Sequence, residues 1–322
     1  MEIFSPSQGG KCNKKIANVP AVWSLGMTMD LFKSQLVIAG YQTLDGEWKY
    51  HSLQDARGSL LAGAWNTTAT PGELPPIFHN SFVYKRDLVL VRGNKQPALM
   101  LDMDKIGVRN SSWNQVTFIE DTNSTNGFPR SCGLKVDTNT FITFGGNNGD
   151  DVQSTVITIN METQEAQINP PMKFARAKHG CALIKDGHRT RSVLITGGTD
   201  GSGALVQDEV YDYVLQYSNT TSKHMTIPRY DHTMVLLNET IFAIGGRDAS
   251  GDYVQLVEKY NPTDGSWENH TENLLSTSTA LLSTSLFPHS ALDCDVGCRC
   301  GNPKDHRIIG GTEAEVSSSP PF

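Results

Sequence analysis

Three histidines and a cysteine stand at one recurring place in this chain. Counting 14 residues back from Gly93, Gly146 and Gly246 gives His79, Cys132 and His232; His179 takes the same place in a segment lengthened by "DGHRTR". Imidazole and thiolate are transition-metal ligands, so such residues converging on an axis would suit a metal ion. A second set is oxygen-rich: Asn147, Asp150 and Asp151 in "NNGDD", Asp200 and Asp208 in "TDGSGALVQDE", and Arg247, Asp248 and Asp252 in "RDASGD". These loops suit Ca²⁺ or a basic partner, but nothing has EF-hand spacing, and the favoured reading is solvated turn chemistry. A third set is "CDVGCRC", with Cys294, Cys298 and Cys300, and His306 nearby. It reads as metal ligands or as disulfides; the spacing matches no zinc pattern, and disulfides in a secreted chain are the better reading.

The first two sets hang on a repeat. An apolar run ending in small residues recurs as "QLVIAG" at Gly40, "DLVLVRG" at Gly93, "FITFGG" at Gly146, "SVLITGG" at Gly198 and "IFAIGG" at Gly246, at intervals of 53, 53, 52 and 48 residues. Runs of this kind at this period predict β-strands. A strand that turns sharply against a neighbouring backbone needs positive φ and no Cβ, hence glycine. Each run is preceded by another apolar strand ("HTMVLLNET") and followed by a polar loop, a strand ("VQLVEKYNP") and a last strand ("GSWENH"). Four-stranded units at this period stack around an axis and bury a continuous core.

"RYDHTMVLLNETIFAIGGRDASGDYVQLVEKYNPTDGSW", with Arg229, His232, Gly245, Gly246, Tyr260 and Trp267, resembles the kelch repeat, and the stretch from Arg176 to Tyr213 matches well. The resemblance covers about residues 20–290 and implies an all-β, six-bladed kelch-type β-propeller. It also implies that His and Arg at the recurring place bridge neighbouring blades by hydrogen bonds, which displaces the metal. No metal and no cofactor is therefore expected, and no residue set supports the oxidase chemistry found in some propellers of this type.

Five units fill Trp23 to Leu275, and a sixth is split between the ends: "STALLSTSLFP" opens it, and "EIFSP" (Glu2 to Pro6) lines up with "EKYNP". Closing the ring with strands from both termini removes exposed edges. The second strand of that blade, the one ending in Gly-Gly, is not found where the repeat predicts it. Either it preceded Met1 in a longer chain, the reading we favour, or the last blade has three strands.

The ending, "RIIGGTEAE" with Cys300 upstream, resembles the activation junction of trypsin-like serine proteases. That resemblance implies cleavage between Arg307 and Ile308 and a propeptide tether at Cys300. Only 15 residues run from Ile308 to Phe322, too few for the triad, so no catalytic residue is assigned and the chain is expected not to be an enzyme. The expected domains are a propeller at 1–289, a cysteine-containing linker at 290–307 and the truncated start of a trypsin-like domain at 308–322, in an extended, disordered tail. Cys12 is expected to pair with Cys294, Cys298 or Cys300, because both ends meet in the closing blade.

Net charge is −7 with no basic block, which disfavours nucleic acid, and no apolar run of membrane-spanning length exists. Six sequons, at Asn66, Asn110, Asn123, Asn219, Asn238 and Asn269, sit in polar, turn-like stretches and lean towards secretion, although no signal peptide is visible. The expected function is a secreted module binding a protein or glycan through its rim loops, as the N-terminal part of a protease zymogen. The alternative is an intracellular kelch adaptor of the cytoskeletal or ubiquitin-ligase type.

Overall fold

The structure, a computed structural model, describes residues 80–91, 97–102, 104, 114–120, 128–149, 151–186, 189–237 and 239–269, and the backbone of strands at 2–5, 10–12, 28–32, 35–42, 48–54, 64–69, 284–288 and 306–310. Among these residues every extended element is a β-strand, as the alternating apolar runs require. The repeat units become antiparallel sheets whose strands follow chain order. The first holds Thr28–Phe32, Gln35–Gln42, Trp48–Gln54 and Ala64–Ala69; the second Asn80–Tyr84, Asp87–Val91, Ala98–Asp102 and Asn114–Val116. The third holds Cys132–Lys135, Thr140–Phe144, Val156–Asn160 and Glu165–Asn169, with Ile119–Glu120 added in parallel at its outer edge. The fourth holds Gly180–Asp186, Arg189–Thr196, Glu209–Asp212 and Tyr217–Thr220; the fifth Thr233–Leu237, Thr240–Ile244, Glu258–Asn261 and Ser266–Asn269.

A sixth sheet mixes the two ends of the chain. Its order across the sheet is Thr284–Pro288, His306–Gly310, Glu2–Ser5 and Gly10–Cys12. The split between termini is as expected, but the second place, which the sequence reading left empty, holds 306–310. Ile308 is in register with Leu286 on one side and Phe4 on the other. The strand also runs across the expected 307/308 domain boundary: where a disordered tail was expected, the backbone of 306–310 pairs on both edges. The leading strands adjoin in succession, 28–32 beside 80–84, then 132–135, 180–186 and 233–237, with 284–288 beside both 233–237 and 28–32.

Packing between sheets follows from strand periodicity. In Thr140–Phe144, Phe141 turns to the second sheet and packs with Phe82, Val89, Val91 and Ile159, while Ile142 and Phe144 turn to the fourth and meet Val193, Ile195 and Tyr211. Leu194 points the other way, to Ile241 and Tyr260 of the fifth sheet. Each second strand is thus covered on both faces, which is why it reads as an unbroken apolar run. Phe82 and Phe141 stack at 4.2 Å. Burying each such side chain contributes about 1.5–3 kcal/mol.

The diglycines close the seams. Gly197 (φ 60°) and Gly198 (φ 87°) are both left-handed, as are Gly145, Gly146, Gly245 and Gly246. A Cβ on Gly197 would fall on the carbonyl oxygen of Arg229, in the chain leading to the next sheet. The same close approach lets Gly198 N–H donate to that carbonyl at 2.9 Å, and Gly146 N–H donate to Arg176 O at 2.8 Å one seam earlier.

Candidate functional site: the loop face and its axial mouth

The loops after the diglycines and the connections into the next leading strands share one face. Asn147 N–H donates to Pro129 O, Thr199 N–H to Ala177 O and Arg247 N–H to Tyr230 O, tying each loop to the segment that enters its own sheet. Buried arginines pin the loop ends. Arg176 donates from Nη1 to Gly197 O and Gln207 O, both at 2.9 Å, and from Nη2 to Glu209 Oε1 at 2.8 Å. Arg229 repeats this one unit on, with Gly245 O, Leu256 O and Glu258. Both arginine–glutamate pairs are fully buried. Burial lowers both arginine pKa values, and the facing glutamate opposes it.

Above these pins lies a chain of charged residues around the axis. Arg130, Lys178 and Asp231 occupy the same place in successive units, and all three are left-handed, with φ of 59°, 57° and 52°. Their backbones link the units: Asp231 N–H donates to Lys178 O at 2.9 Å, and Lys178 N–H to Arg130 O at 2.8 Å. The left-handed turn is what lets Lys178 and Asp231 donate backwards around the ring, at about 1–2 kcal/mol per non-glycine residue. Lys178 Nζ lies 3.4 Å from Asp231 Oδ2 and 5.1 Å over the Tyr230 ring. Arg247 stacks 4.0 Å over Tyr253 while donating to Gly251 O and Tyr253 Oη. Burial raises the Asp231 pKa, opposed by the charges of Lys178, Arg130 and Arg247. Lys178 is thus paired with Asp231, and Arg130 and Arg247 act on the same carboxylate through their charge.

The sequence-predicted residues fall in different places. Arg247 belongs to the mouth. Asp151 lies in the ribbon Asn147–Asn148/Asp151–Val152, while Asp150 lies outside the described residues. Asp200 and Asp248 cap their own turns, accepting from Ser202 and from Ser250 and Asp252 backbone N–H groups. Asp208 is a correction: it is 1% exposed, and its oxygens accept from Thr196 Oγ1 and from Trp267 Nε1 of the next sheet at 2.9 Å. It seals a seam and faces no partner; burial pushes its carboxyl up to about 6.

The recurring His/Cys place also changes. The third sheet turns its first hairpin with Asp137–Asn139, one residue more than separates the paired Leu237 and Thr240 in the fifth sheet, so counting back from glycine slips by one. Ser131, not Cys132, is the counterpart of His179 and His232; His79 lies outside the described residues. Both imidazoles are buried; His232 has no hydrogen-bond partner at either nitrogen, and His179 has only a weak interaction with the Phe144 backbone of the preceding sheet. Burial depresses both pKa values, that of His232 to about 3 and that of His179 well below its usual value. Among the described residues no group of three or more His, Cys, Asp or Glu is placed to hold a metal.

Asn66, Asn219 and Asn269 lie on the outermost strands of the first, fourth and fifth sheets, not in the expected turns; Asn219 and Asn269 are exposed. Asn110, Asn123, Asn238, Cys294, Cys298 and Cys300 lie outside the described residues, and Cys12 ends the last strand of the sixth sheet. Cys132 and Cys181 form a disulfide that the sequence reading did not anticipate. Among the described residues no helix is long and apolar enough to cross a membrane.

The kelch motif profile matches residues 228–269, which span the fifth sheet and the segment entering it. The chain is 28% identical over 156 residues to the kelch repeat-containing protein kel-10 of Caenorhabditis elegans, covering 48% of this chain and 26% of that protein. It is 27% identical over 155 residues to the kelch repeat and BTB domain-containing protein F47D12.7 of the same organism, again covering 48% of this chain and 26% of the relative. The match spans about a quarter of each relative. Together these similarities support a kelch-repeat domain.

Proposed function

We propose that this chain is a six-bladed kelch propeller that binds a protein partner on its loop face, around the axial mouth. The observation that carries this is the run of Arg130, Lys178 and Asp231, held by left-handed backbone in successive units, with Lys178 paired to Asp231 and Arg247 on the loop tied to Tyr230 beside it. Loops and exposed connections on a rigid scaffold are where recognition resides. The similarity to a BTB-containing relative favours the adaptor reading, in which the propeller supplies partner recognition. The chain has no assigned catalytic group and acts by binding.

The test is affinity capture with the wild-type chain and with the triple variant R130E/K178E/R247E, alongside V214S on the exposed outer turn. The specific partner set is lost from the triple variant and kept by V214S, with both variants folded by circular dichroism. An unchanged set on the triple variant refutes the mouth as the binding site.

In the same reading, 306–310 is the second strand of the closing blade. This accounts for "RIIGG" without a protease junction. Limited trypsin treatment decides: a strand paired on both edges resists cleavage after Arg307, whereas an activation junction is cut first.

A second reading, a secreted propeller, is favoured by the Cys132–Cys181 disulfide and by the exposed sequons at Asn219 and Asn269. A glycosidase-sensitive mobility shift supports secretion; unmodified protein in the cytosol removes it.

A further inference from the structure

The seams between successive sheets meet at one repeated contact. The residue opening the leading strand of one sheet faces the second residue of the next leading strand. Between the second and third sheets the pair is Asn80 and Gly133, where a Cβ on the glycine would lie 3.0 Å from Asn80 Cγ. Between the fourth and fifth it is Gly180 and Met234, with the corresponding Cβ 2.5 Å from Met234 Cγ. Each of these seams closes by setting a glycine against a side chain. Between the third and fourth sheets neither position is glycine. Both are cysteine, their Cα atoms 5.9 Å apart, within the normal span of a disulfide, and Cys181 is 7% exposed.

We propose that Cys132–Cys181 is a redox clasp that locks the third sheet to the fourth, closed by thiol–disulfide exchange on the folded chain. One cysteine thiolate attacks glutathione disulfide, releasing one glutathione thiol. The second thiolate then attacks the mixed disulfide, releasing the other; two protein thiols are oxidised and one donor disulfide is reduced. The placement follows from the repeat. The thiols occupy the contact that the seams on either side also make, so folding alone brings them together. The clasp also sits two residues from Arg130 and three from Lys178, the two mouth residues that this seam joins. Its state therefore governs the seam on which the binding face is built.

The test equilibrates the purified full chain with excess glutathione disulfide, blocks free thiols by alkylation and maps the peptides without reduction. The linked Cys132–Cys181 peptide is expected; alkylation of both residues in the native chain overturns the proposal. Hydrogen exchange then compares oxidised chain with chain reduced by a phosphine. Gly146 and Lys178, whose N–H groups cross this seam, are expected to exchange at least tenfold faster after reduction. Gly198 and Asp231, which cross the next seam, are expected to keep their rates. Equal change at both seams, or none at either, overturns the local clasp. A C132A/C181A variant opens the loop of 49 residues, lowering the folded-to-unfolded ratio about a thousandfold on the chain-entropy scale. Should the variant not fold, the reduced wild-type chain supplies the same comparison.

Discussion

Acid sensitivity of the seams follows directly from His179 and His232. Burial is the main cost of charging them, the nearby Arg176 and Arg229 guanidinium groups add to it, and only a weak interaction of His179 with the Phe144 backbone opposes it. In the unfolded chain each imidazole titrates near pH 6.5. In the folded chain both values are depressed, that of His232 to about 3. Below pH 6.5 the unfolded state therefore binds protons that the folded state refuses. The stability contributed by the neutral rings is fully present above that pH and is lost as pH falls towards the folded values. At pH 5.5 the loss is about 1.4 kcal/mol for each ring, hence roughly 3 kcal/mol for the two together. Asp208 works in the opposite sense. Its folded value is raised to about 6, so protonation in that range returns about 1 kcal/mol. The net expectation between pH 7.5 and 5.5 is a loss of about 2 kcal/mol, or roughly 30-fold in the folded-to-unfolded ratio. Urea unfolding of the oxidised chain at several pH values measures it directly. H232Q and H179Q should each remove about one proton from the slope. A stability that is flat or rising on acidification, or a slope unchanged in both variants, refutes the reasoning.

Three further perturbations probe the seams and pins. R229M leaves Glu258 buried and unpaired and should cost about 3–5 kcal/mol in urea unfolding, whereas R229M/E258L should cost far less because no charge is stranded. Gly197→Ala meets both a left-handed φ and the Arg229 carbonyl and should cost more than about 2 kcal/mol; Gly149→Ala, at φ 67° with open space around it, should cost only the left-handed term of about 1–2 kcal/mol. Trp267→Phe deletes the indole N–H that Asp208 accepts, a loss of about 1–3 kcal/mol at pH 7.5 that shrinks towards pH 5 as the carboxyl protonates.

What could be read from the sequence was what depends on backbone alone. Positive φ at a strand end is demanding enough that Gly145, Gly197 and Gly245 mark the turns without ambiguity, and the four-strand units follow from them. Side-chain placement was less legible because it depends on register. One additional residue in the Asp137–Asn139 hairpin put Cys132 in line with the histidines by count, though it sits beside Cys181 in space. Asp208 reads as a loop carboxylate by position and is buried because its partner, Trp267, arrives from the next sheet 59 residues away. The strand at 306–310 was hidden for the same reason: one of its two neighbours, Glu2–Ser5, comes from the opposite end of the chain. Of the axial mouth the sequence reading reached only Arg247; Arg130, Lys178 and Asp231 were missed because non-glycine residues at positive φ leave no mark in a sequence until the repeat register is known.

The units differ most where side chains, not the backbone, close the structure, which explains why the kelch motif is matched in the fifth unit. There Arg229 pairs with Glu258, and Tyr260 packs against Trp267 at 5.2 Å. The fourth unit keeps the pair as Arg176 and Glu209 but has Ser218 at the tryptophan position, where its hydroxyl donates to Glu209 at 2.6 Å. In the third unit the arginine and glutamate positions hold Phe128 and Ile157, and the tryptophan position holds Ala166. Both members of the ion pair are replaced together, so no buried charge is left unpaired. Ile157 instead joins the apolar cluster with Phe141 and Phe82. The glycines persist through all three units because they hold the neighbouring backbones at hydrogen-bond distance. The polar residues are interchangeable as sets, because any set that fills the space and satisfies its own atoms will close the same turn.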